Sequence, residues 1–276
     1  MIKRDIDINR LVEDALQIPD NRAKRIILHR YCLGVPNKRT LADLGQEYNL
    51  TRERIRQIEA ATLKAVRKRL ENDAALTELI QLIHDYLNDA GNLRRADWVA
   101  RDFAVLLKNH SEEEELYHKL HFLAHVIGEP HITEANEEWH PFWYNKKEAH
   151  DTAKTLVSHL MKSKEYNFDK FLKNTTSKFN LPEAVVINHL SVSKKFMAGP
   201  YGDLGAAHWP HVNPKTVREK AYLVLVKENH PLHFREIAEL VNKIGNRERA
   251  PATVHNELIK DPRFILVGRG TYTLNG

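Results

Sequence analysis

Thr40 and Thr51 place the firmest constraint on this chain. Each stands where a helix can begin, and only the break YNL separates the short stretch LADLGQE from the long one RERIRQIEAATLKAVRKRL. A threonine hydroxyl just before a helix accepts hydrogen bonds from backbone N–H groups that the first turn leaves unpaired. Two helices joined across so short a break predict a helix-turn-helix. In the second helix Ile55, Ile58, Thr62, Ala65 and Val66 are expected to form the buried stripe. Arg52, Glu53, Arg56, Gln57 and Ala60 fall largely on the opposite side. A helix that lays such a face in a DNA major groove reads base edges with its N-terminal residues. Arginine suits guanine, glutamine adenine, and glutamate accepts from cytosine. Lys64, Arg67, Lys68 and Arg69 extend the positive charge toward phosphates or solvent. A bundle helix with a solvated face would show the same spacing, so periodicity alone leaves both readings open.

Charge is distributed in a way that bears on this choice. The formal net charge is +5, yet residues 1–70 hold 16 Lys/Arg against 9 Asp/Glu, residues 71–213 hold 15 against 21, and residues 214–276 hold 11 against 7. Two basic ends around an acidic middle place polyanion binding, if it occurs, at the ends. No run of about eighteen apolar residues is present, so no membrane span is expected. MIKRDIDINR lacks the apolar core of a secretory signal. Cys32 is the single cysteine, which leaves no disulfide within the chain and suits a reducing cytoplasm.

The remainder reads as short helices. Ile8, Leu11, Val12, Ala15 and Leu16 recur at helical spacing up to Pro19, and Asn21 to Leu33 forms a second helix with Gly34 as its stop. Residues 76–90 are amphipathic and end at Gly91, and helical patterns follow at about 95–108, 112–127, 146–162 and 168–173. The stretches HITEANEEWHPFWYN and SKKFMAGPYGDLGAAHWP are rich in aromatic and turn residues, each after a helix-rich stretch. Pro214 is placed in the first turn of a helix through TVREKAYLVLVKEN, HFREIAELVNKI gives the next, and Pro251 heads a third. RFILV, GRG and TYTL then form a hairpin. The expected fold is mainly α, a helix-turn-helix domain followed by tandem winged-helix-like units with small β-hairpin wings. The expected divisions are 1–70, 71–145, 146–213 and 214–276.

TLADLGQEYNLTRERIRQIEAATLKAVRKRL resembles region 4.2 of housekeeping-type sigma factors, and ALQIP with RIILHRYCLG is similar to region 4.1. The resemblance covers about 9–70. It implies binding to the −35 promoter element and docking on the flap of the RNA polymerase β subunit. By matching positions, Arg52, Glu53 and Gln57 are the implied base readers, with Arg54 and Arg56 near phosphates. Ala61 stands where many members carry a lysine used in activator or backbone contacts, so that contact is not implied here. No stretch resembles the aromatic-rich region 2, and the chain is not expected to start transcription alone as a sigma factor does. Residues 214–276, through PLHFREIAEL, TVHNELIKD and RFILVGRGTYTL, resemble the HARE-HTH family of winged helices. By wing geometry Thr253, His255, Asn256, Lys260 and Arg269 are its DNA-contact candidates, with protein docking the alternative role for this module.

His118, His121 and His125 share one helical face, with His131 and His140 following. No HExxH, CxxC or paired carboxylate accompanies them, so they read as packed or surface histidines and no metal or cofactor is expected. The tryptophan candidates for base stacking, Trp139, Trp143 and Trp209, read first as core, and Cys32 reads as a buried thiol in a helix. Glu112 to Glu115 complement a helix N-terminus. No catalytic constellation is present, and neither a small-molecule substrate nor a membrane partner is expected. The leading reading is a cytoplasmic, nucleoid-associated DNA-binding regulator of bacterial or phage origin, partnered by double-stranded DNA and RNA polymerase. Two alternatives remain: a polymerase-associated interaction factor with little DNA binding, and the DNA-recognition accessory module of a defence system.

Overall fold

The computed structural model describes residues 6–107, 112–245 and 247–275. Residues 1–5, which open the stretch read for a secretory signal, lie outside them, as does Lys108 at the end of the 95–108 helical pattern. The helices and strands run α1 (Ile8–Ala15), α2 (Asn21–Tyr31), α3 (Leu41–Tyr48), α4 (Arg52–Leu70), α5 (Ala74–Asp89), β1 (Leu93–Arg95), α6 (Ala96–Leu106) and α7 (Glu113–Ile127). They continue with β2 (His131–Thr133), β3 (Phe142–Tyr144), α8 (Lys147–Lys162), α9 (Phe168–Phe179), α10 (Glu183–Ser191), β4 (Phe196–Ala198) and β5 (Leu204–Ala206). The last are α11 (Val217–Glu228), β6 (Leu232–His233), α12 (Phe234–Lys243), α13 (Pro251–Ile259), β7 (Phe264–Gly268) and β8 (Thr271–Leu274). The chain is mainly helical, with small antiparallel sheets, as its patterning leads one to expect.

Packing divides the chain into two units, Met1–Leu156 with Pro182–Ser193, and Val157–Leu181 with Lys194–Gly276. In the first, one core gathers Leu11 of α1, Ile27 of α2, Val66 and Leu70 of α4, Leu79 of α5, Phe103 of α6, Phe122 of α7 and Trp143 of β3. After α5 the order is strand, two helices, two strands. β3 lies between β1 and β2, with Trp143 opposite both Arg94 and Ile132. That is a three-helix winged helix. The second unit repeats the order in α11, β6, α12, α13, β7 and β8, with β8 central between β6 and β7. Its own core holds Ala221, Val224, Ile237, Val241, Val254, Leu258 and Tyr272. Between the two in sequence, α8, α9 and α10 precede the β4–β5 hairpin.

Local chemistry explains the boundaries. Asp7, Asp20 and Asp73 cap α1, α2 and α5 by accepting from first-turn amides. Thr40 with Asp43, and Thr216 with Glu219, form reciprocal capping boxes. Thr216 therefore starts α11 at Val217 and leaves Pro214 outside the helix, a correction to its expected place in the first turn. The 168–173 pattern extends to Phe179 because Thr175 is buried and continues the apolar stripe, its hydroxyl bonded to the Phe171 carbonyl at 2.7 Å. No helix is expected from sequence at α10, whose buried face includes Asn188, His189 and Ser191. Cys32 is not within a helix. It caps α2 in the left-handed conformation (φ 53°) and is only partly buried.

Candidate nucleic-acid interface

The seat of α4 is built from the turn that precedes it. Asn49 closes α3 at φ 52°, and the Leu50 N–H returns to the Gly45 carbonyl at 2.8 Å. Gly45 approaches this turn so closely that a Cβ there would lie 2.7 Å from the Leu50 carbonyl oxygen. Thr51 then accepts from the Arg54 amide at 3.1 Å and starts α4. Ile55 is fully buried with Ile26 and Leu44, ringed by Leu41, Tyr48, Leu50 and Ile58. Val66 and Leu70 anchor the far end in the main core. Ala65, expected in the buried stripe, is exposed. Glu59, not expected in the stripe, is turned inward, 9% exposed, and accepts from Arg30 Nε at 3.2 Å. Burial first, and the Glu59 charge second, push the Tyr31 hydroxyl pKa up. Arg30 also donates to the Arg39 carbonyl at 3.0 Å, so this polar cluster joins α2 to the middle of α4.

On the opposite side Arg52, Glu53, Arg54, Arg56 and Gln57 are all exposed, as are Ala60, Lys64 and Lys68 further along. The first turns carry a local network. Arg56 donates twice to Glu53, at 2.8 and 2.7 Å, and Arg54 donates to Gln57 Oε1 at 3.2 Å. The Arg56 guanidinium holds the Glu53 carboxyl below its ordinary pKa, so Glu53 offers acceptors only at neutral pH. Arg69 is committed elsewhere. Its guanidinium donates to the carbonyls of Asp14, Ala15 and Gln17 at the end of α1, at 2.8, 2.8 and 2.6 Å. Arg67 lies against Gly128 at the end of α7.

In the C-terminal winged helix Thr253, Asn256 and Lys260 share an exposed face of α13, and Arg269 is exposed at the wing tip. His255 departs from them. Its ring stacks on Phe234 at 4.4 Å between centroids and meets Tyr272 edge-on at 5.7 Å. Gly270 (φ +73°) makes the β7–β8 turn, and the Phe234 N–H donates to its carbonyl at 2.9 Å. Strand β7 presents Ile265, Leu266 and Val267 to solvent, 40%, 58% and 52% exposed. Alternation of β-forming residues predicts a strand there but gives no sign that three successive apolar side chains remain uncovered.

Trp143 and Trp209 are core residues, as their aromatic surroundings suggest. Trp98, which sequence reasoning passes over, is half-buried with the guanidinium carbons of Arg94, Arg95 and Arg101 4.9, 5.2 and 5.9 Å from its ring. Asp102 and Asp97 pair with Arg94 and Arg95 at 2.8 and 2.6 Å, which neutralises part of that patch. Among the described residues His121 and His125 come together with Glu134, while His118, His131 and His140 stay outside that group.

Residues 15–68 match the family model described as Sigma-70, region 4. Residues 215–276 match the HARE-HTH model, described as a helix-turn-helix domain of ASXL and restriction endonuclease proteins among others. A 62-residue stretch is 39% identical to the RNA polymerase sigma factor RpoD of Helicobacter pylori (strain ATCC 700392 / 26695), covering 22% of this chain and 9% of that protein. No solved structure matches the chain. No helix among the described residues is long and apolar enough to cross a membrane. The chain therefore carries a sigma-70 region 4 helix-turn-helix near one end and a HARE-HTH winged helix at the other, both domains of DNA-binding type rather than of an enzyme family.

Proposed function

We propose that this chain is a transcription regulator that reads DNA sequence through α4 and works beside RNA polymerase rather than as a whole sigma factor. The observation that carries this reading is the exposure of Arg52, Glu53 and Gln57 on one side of a helix whose other side is fixed by Ile55. Arg52 and Gln57 meet base edges in the major groove, and Glu53 accepts from a cytosine amine. Arg54, Arg56, Lys64 and Lys68 meet the flanking phosphates. The Arg56–Glu53 pair holds both side chains in place before DNA arrives, which lowers the ordering cost of contact. Thr253, Asn256, Lys260 and Arg269 add a second, weaker grip, with His255 supporting α13 from below. Two modules in one chain raise affinity through effective concentration. Docking on the polymerase β flap rests on the likeness to sigma region 4 and on the short match to RpoD.

Selection of bound DNA from a random pool, with and without polymerase, tests this reading. Arg52→Ala or Gln57→Ala should relax the selected sequence, each costing about 1–3 kcal/mol at the cognate site. Lys68→Ala should lower the salt dependence of binding by roughly one phosphate without changing preference. Duplex binding unchanged in all three variants refutes groove readout by α4. The uncovered Ile265, Leu266 and Val267 favour a second reading for the C-terminal module, docking on protein. Retention of polymerase without salt-sensitive duplex binding would establish that reading for the chain as a whole.

A further inference from the structure

The sequence pairs no carboxylate with its helical histidines, but the fold does. His121 and His125 stand one turn apart on α7, and Glu134 follows directly after β2. One ligand atom from each of the three lies within 4.8 Å of the other two. His121 is 4% exposed, and its Nε2 is 3.0 Å from Glu134 Oε1. His125 Nδ1 is 2.9 Å from the His121 carbonyl, so this nitrogen carries the proton and Nε2 is left with its lone pair. A second nitrogen bound to a backbone carbonyl is the outer-shell arrangement that orients a metal-binding imidazole. Tyr117 stacks on His121 at 5.7 Å, and Tyr31 lies against both imidazoles, which fixes the rings from two sides. Lys38 reaches the other carboxylate oxygen, Oε2, at 3.7 Å and leaves Oε1 turned toward the histidines.

From this geometry we infer that His121, His125 and Glu134 form a three-ligand site for a divalent transition ion, with Zn2+ the best match. Two imidazoles and one carboxylate, without thiolate, suit zinc and its neighbours rather than calcium or magnesium. Zinc bonds of about 2.0–2.2 Å need only small rotations of side chains already this close. Three protein ligands leave a fourth position for water. The ion would tie the first wing to α7 beside Tyr31, whose neighbour Arg30 pairs with Glu59 of α4.

The test uses the untagged full chain, stripped with chelator, with Co2+ as the spectroscopic probe and Zn2+ as competitor. The parent should bind one Co2+ with visible ligand-field bands, release it to Zn2+, and unfold at higher temperature with Zn2+ present. Glu134→Gln and His125→Ala should each weaken Co2+ binding at least tenfold and abolish the thermal shift. Glu134 is exposed, so Glu134→Gln is expected to keep the parent far-UV circular dichroism and reports on the ligand alone. Absence of one-to-one binding by the parent overturns the inference. So does equal Co2+ affinity in the parent and Glu134→Gln, which would place the ion on other histidines or leave His121 and Glu134 as a plain ion pair.

Discussion

Replacing Gly45 with alanine should weaken the first unit and loosen DNA preference, although alanine is the better helix former. An added Cβ would meet the Leu50 carbonyl oxygen at 2.7 Å, with the Arg52 nitrogen at 3.5 Å and the Thr51 carbonyl carbon at 3.6 Å. All three are backbone atoms, so no side-chain rotation can relieve the contact, and the turn must move by several tenths of an ångström. Forcing a methyl into so tight a place costs about 2–3 kcal/mol, from which about 1 kcal/mol of helix propensity is regained. The net loss is about 1–2 kcal/mol, seen as a lower urea midpoint at unchanged m value. Because the displaced Leu50 carbonyl lies in the turn that leads into α4, the selected DNA sequence should also become less defined. Gln46→Ala, on the exposed side of the same helix, should stay within about 0.5 kcal/mol of the parent. A Gly45→Ala chain as stable as the parent, with its preference intact, would refute the close-approach reasoning.

Glu59→Ala should cost about 1–3 kcal/mol in urea unfolding, because it leaves the Arg30 guanidinium without its carboxylate partner in a part-buried site. Arg69→Ala should cost about 1 kcal/mol, discounted for exposure, and leave the salt dependence of DNA binding unchanged, since its guanidinium caps α1. A fall in salt dependence would place Arg69 on DNA instead. His189 is buried and its pKa is lowered by desolvation, so the unfolded chain takes up the proton first as pH falls. Its contribution is fully present above the unfolded value of about 6.5 and is lost below it, at no more than about 1.4 kcal/mol per pH unit. His189→Gln should flatten that part of the urea midpoint–pH profile. Arg269→Ala should leave stability unchanged, and it should lower the salt dependence only if the C-terminal wing meets phosphate.

The helix-turn-helix was legible because its signals are local. Thr40 and Thr51 announce their helices by side-chain oxygens, and Ile55 and Val66 mark the inner face by type and spacing. The wings were legible from turn residues and aromatic runs. What escaped depends on contacts between distant segments. Glu59 reads as a solvated charge until Arg30 is packed against it, and its burial widens the inner face of α4 toward α2, while Ala65 stays exposed. The helix α10 has no apolar stripe because its inward Asn188 donates to the carbonyls of Ala90 and Leu93, two parts of the chain remote in sequence. Glu134 joins the histidines only because β2 returns beside α7. Trp98 is different: Arg94, Arg95 and Arg101 are its near neighbours in sequence, and they gather on its ring because a strand passes directly into a helix at Arg95.

The shared core beneath α4 means that the sigma-like portion is not a detachable cassette. A fragment cut after Leu70 would bare Leu11, Ile27, Val66 and Leu70, which pack in the same cluster as Leu116, Leu120 and Phe122 of α7. Such a piece should aggregate or stay molten, and fusing it to another protein would not transplant its specificity. The tilt of the reading helix is then hostage to residues far along the chain. Under the proposed function, substitutions in α7 that never approach a nucleic acid should therefore alter the DNA sequence that α4 selects.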